Sequence, residues 1–157
     1  MLKKFLSSET CAQCRICCGF DDEDLWEVPV VSPELKAELE KEYPHIEYVP
    51  YENSYKFNMI KSPDGLYYCP MLSEKGCILK DSKPFDCKIW PFRVMSLNGS
   101  LVITLSPVCP SLSAKPLNEL HAFLADGFAE RLFREAKVHP DIVKDYLTDY
   151  PILAVQK

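Results

Sequence analysis

Cys11-Ala-Gln-Cys14-Arg-Ile-Cys17-Cys18 is the stretch on which the reading of this chain turns. Two residues between cysteines is the spacing at which two thiolates grip one tetrahedral metal or one face of a cluster. On a continuous helix Cys11, Cys14 and Cys18 share one face, and Cys17 points about 100° away from Cys18 at 3.6 residues per turn. Adjacent residues rarely ligate one small centre together. The vicinal pair therefore straddles two centres or leaves one cysteine outside.

Four more cysteines follow singly: Cys69 before Pro70, Cys77 after Gly76, Cys87, and Cys109 before Pro110. Eight cysteines in 157 residues are roughly 5%, below the roughly 8–10% of a disulfide scaffold but too many for incidental core thiols. Lys3 and Lys4 are followed by only Phe5 and Leu6 before polar residues, so the expected 7–15-residue apolar run of a signal peptide is missing. The chain reads as cytoplasmic, where thiols stay reduced and clustered cysteines bind metal. The reading takes all eight as metal and cofactor ligands: Cys11, Cys14, Cys17, Cys18, Cys69, Cys77, Cys87 and Cys109. His45, His121 and His139 lie outside these motifs and read as ordinary capping or part-buried residues. The sites are thus all-sulfur, and soft thiolates select zinc or iron–sulfur clusters. On spacing alone the two stand near parity.

Composition bounds the rest. With 47% apolar and 26% charged residues, the chain is ordinary globular material able to bury a core. The net charge of −5 is uneven: Asp21–Glu42 carries nine acidic residues against Lys36 and Lys41. An acidic chain without a basic stripe argues against a nucleic-acid partner. The longest nearly uncharged stretch, Val94–Ser106, falls short of the about 20 apolar residues a membrane span needs, so no membrane association is expected. Lys75, Lys80, Lys83, Lys88, Arg93 and Arg15 are placed to offset thiolate charge.

The pattern predicts an α+β fold: one small, irregular, metal-centred domain over 1–157 with a few short antiparallel strands. Hairpins are expected near 55–69, around Ser62-Pro63-Asp64-Gly65, and near 92–105, around Asn98-Gly99. Ser32-Pro33-Glu34 starts a helix that ends near Tyr43. Helices over 116–149 pack on the domain. Leu117, Leu120, Leu124, Phe128 and Leu132 form one apolar stripe there, and Asp141–Asp149 is expected as a short final helix.

Taken together, these pieces resemble the YkgJ-type cysteine-cluster family, described as a zinc- or iron-chelating domain with a Cys-x2-Cys-x2-Cys-Cys signature. Beyond Cys11–Cys18, the resemblance rests on Cys69-Pro70-Met71-Leu72, on Gly76-Cys77-Ile78-Leu79, on Lys83 to Phe92, and on Cys109-Pro110. Lys83 and Lys88 stand where the family usually has Arg, and Trp90 where it has Phe. The resemblance implies metal chelation, with a 4Fe-4S iron–sulfur cluster as the leading cofactor and zinc as the alternative. It implies no reaction. The expected function is electron transfer, redox sensing or cluster chemistry with a protein redox partner. The alternative is a structural zinc module that binds another protein.

Overall fold

A computed structural model of the chain describes Leu2, residues 5–22 and residues 26–157. Lys3 and Lys4, and Glu23 and Asp24 of the acidic run, lie outside the described residues. The architecture is α+β, built from small sheets and short helices, in two compact units, Met1–Lys88 and Ile89–Lys157. Among the described residues no helix is long and apolar enough to cross a membrane.

The first unit opens with α1 (Ser8–Cys14), capped by the Ser7 hydroxyl accepting from the Thr10 N–H at 3.0 Å. The helix does not run on to Cys18 as a continuous-helix reading requires. Arg15 turns left-handed at φ 56 and closes α1 through its N–H to the Cys11 carbonyl; Ile16–Cys18 then form a separate 3₁₀ turn. The shared face of Cys11, Cys14 and Cys18 is therefore broken at Arg15.

The chain continues through β1 (Gly19–Phe20), β2 (Val30–Val31), α2 (Pro33–Glu42), β3 (Tyr48–Tyr51) and β4 (Ser54–Phe57). Then come β5 (Ile60–Lys61), β6 (Tyr67–Tyr68), β7 (Leu72–Ser73), β8 (Gly76–Cys77) and α3 (Phe85–Ile89). The start of α2 is as predicted: the Ser32 hydroxyl accepts from Leu35 N–H at 3.2 Å, with Pro33 in the first turn.

β5 and β6 form the expected hairpin over Ser62–Gly65, with Gly65 at φ 88, and β1 adds to the outer side of β6. Residues Ser54–Phe57, expected in that same hairpin, instead pair with β2 and β3 in a separate sheet. Asn58 and Met59 part β4 from β5, so the alternation across 55–61 spans two sheets. Phe20, Val28, Val31, Leu39, Phe57, Met59, Met71 and Leu79 make the core, with Cys69 and Cys77 packed against it.

The second unit is centred on the hairpin of β9 (Phe92–Leu97) and β10 (Ser100–Leu105). Asn98 and Gly99 both take positive φ, 50 and 81, as a type I′ turn requires. α4 (Pro110–Ser113) and α5 (Leu117–Phe123) follow. A widened turn over Leu124–Phe128 leads into α6 (Ala129–Val138).

Leu120, Leu124, Phe128 and Leu132 are buried as the stripe predicts, while Leu117 at its start is exposed. Gly127 (φ 83) and Asp126 break the helical geometry, and no side chain fills the space beside Gly127. That glycine thus serves a kink and not a close approach.

The expected final helix over Asp141–Asp149 is absent. A single 3₁₀ turn (Pro140–Ile142) gives way to β11 (Lys144–Asp145), parallel to β9, and then to β12 (Ile152–Val155), antiparallel to β10. With Pro140 and Pro151 framing the segment and the β10 edge open, strand pairing satisfies backbone groups that a short isolated helix would leave unpaired.

Candidate metal centre

In the first unit, backbone bonds join the Cys17-Cys18 turn to Cys69 and lead on to Cys77. The Cys69 N–H donates to the Cys18 carbonyl at 2.9 Å, and Gly19 pairs with Tyr68 next door. This ladder sets the end of the Cys17-Cys18 turn beside Cys69. From Cys69 the chain turns at once, with Leu72 N–H to Cys69 carbonyl at 3.0 Å, into the β7–β8 hairpin, where Leu72 faces Cys77.

Gly76, at φ 96, lets β8 lie directly on α1. A Cβ there would fall 3.0 Å from the Ala12 Cβ. Arg15 fastens the same junction, donating from Nε to the Ala12 carbonyl at 3.0 Å and from Nη2 to the Glu74 carbonyl at 2.6 Å. Its guanidinium is thus held by carbonyls, not by the thiols it was expected to neutralise.

Cys87 rides on α3. Its neighbour Asp86, 2% exposed, accepts from the Val30 N–H at 3.0 Å and so ties α3 to β2. Only the long-range partner, far away in sequence, reveals its role.

Burial and nearby groups raise the pKa of three of these thiols. The Cys17 thiol is pushed up, first by its hydrogen bond with Cys18, whose sulfur is 4.0 Å away, then by burial; Lys83 pulls the other way. Burial pushes Cys69 up to about 12, a Met71 backbone N–H partly offsets it, and Cys77 and Cys17 add to the rise. Cys87 is pushed well above the ordinary thiol value, first by burial, then by Cys69, Asp86, Cys17 and Cys77.

No family model, curated protein or solved structure matches this chain.

The other predicted ligands are placed differently. Cys14 is exposed near the end of α1, and Cys11 is half-buried one turn earlier. Cys109 belongs to the second unit, buried just before α4. No disulfide joins any of the eight. His45 and His121 are exposed and His139 is half-buried at the end of α6. Arg93, expected on a basic face, is buried in the second unit with its guanidinium over the Trp90 ring at 4.8 Å. Phe92 stacks on Phe123 and meets Phe128 edge-on in that unit's core.

Among the described residues no three His, Cys, Asp or Glu side chains converge closely enough to grip a single ion. The donor chemistry nevertheless fits a soft metal group. Thiols that penalise one another as anions in a desolvated region are what a thiophilic cation stabilises, displacing protons as it binds.

Proposed function

We propose that this protein binds metal through cysteine thiolates, holding iron–sulfur, with 4Fe-4S as the leading form, for electron transfer or redox sensing. The observation that carries the reading is the grouping of Cys17, Cys69, Cys77 and Cys87. These unbridged thiols come from separate segments of one unit, with Cys69 joined by its N–H to the Cys18 carbonyl and packed, like Cys77, against one apolar core. A purely structural use of cysteine does not need several thiols gathered in one unit, because each behaves as a small apolar group. The motif resemblance described above supports the same reading.

Two properties suit an iron–sulfur centre. Tyr67 packs against the same apolar core as Cys69 and Cys77, and an apolar surround limits water near sulfur ligands. The Lys83 charge favours the Cys17 thiolate, as a basic side chain near an anionic centre would.

Purification under strict exclusion of oxygen tests the proposal. Brown protein with broad visible absorption and matched iron and acid-labile sulfide supports it. Colourless protein carrying stoichiometric zinc replaces it with a structural zinc module. Protein that takes up neither metal on reconstitution overturns metal binding itself.

A further inference from the structure

We draw no further inference here: the strongest candidate, the outer edge of β12 in the second unit with the exposed Ile152 and Val155 along it, carries none, because nothing in the structure shows what covers it.

Discussion

Replacing Gly76 by Ala tests the junction between α1 and β8 that underlies the whole site. Two costs add at this position. An L-residue at φ 96 sits in the left-handed region, costing about 1–2 kcal/mol. The new Cβ also lies 3.0 Å from the Ala12 Cβ and 3.4 Å from its Cα, so α1 must be displaced. Overpacking of that kind costs about 1–3 kcal/mol. The reduced freedom of the unfolded chain returns about 0.5–1 kcal/mol. The net is a loss of about 2–4 kcal/mol, or a fall in urea midpoint of about 1–2 M at ordinary slopes.

Gly99→Ala provides the comparison. It has φ 81 and nothing within 4 Å of its Cβ position, so only the conformational cost applies. Urea unfolding of the reduced, metal-free chain, followed by circular dichroism, measures both. A double-mutant cycle with Ala12→Gly then isolates the contact, with an expected coupling of about 1–3 kcal/mol. Equal losses for Gly76→Ala and Gly99→Ala, with no coupling to Ala12, refute the close approach of α1 to β8.

Three further outcomes are expected in the same assay. Asp86→Ala removes the carboxylate that accepts from the Val30 N–H and costs about 1.5–3 kcal/mol, whereas Asp86→Asn, which keeps an accepting oxygen, costs less; equal stability of all three chains contradicts the tether. Ser32→Ala removes the N-cap of α2 and costs about 1 kcal/mol, and an unchanged midpoint argues that the cap is idle. The metal-free chain loses stability between pH 9 and 12, because unfolded Cys69 ionises near its ordinary 9.0 while the folded thiol holds its proton to about 12. The unfolded state thus sheds its proton first, the contribution falls as pH rises, and its upper bound is about 4 kcal/mol. Cys69→Ala makes that alkaline decline shallower, the raised Cys17 and Cys87 thiols supplying the rest, and an identical decline in the variant shows that Cys69 contributes nothing to it.

The elements legible in the sequence were those whose signal is local. Asn98-Gly99 supplies two positive φ values in a row, so the β9–β10 hairpin could be read from adjacent residues. Ser32-Pro33 announces α2 in the same way, and the Leu120 to Leu132 stripe announces the C-terminal helical run. What escaped depends on partners distant along the chain. Nothing in Ile152–Val155 states that β10 has an open edge, and nothing near Asp86 states that it holds Val30. The candidate site divides along the same line. The cysteine spacing marks the candidate thiols, but the left-handed Arg15 decides which side of the break Cys14 and Cys17 occupy. A positive φ at a non-glycine residue leaves little trace in composition.

The most direct test of metal binding compares bound metal and sulfide per chain in the wild type with a variant in which Cys69 and Cys87 are both Ser, each prepared and reconstituted anaerobically. The account predicts stoichiometric metal in the wild type and none held by the variant. A wild type that stays metal-free, or a double variant that binds as much as the wild type, contradicts it.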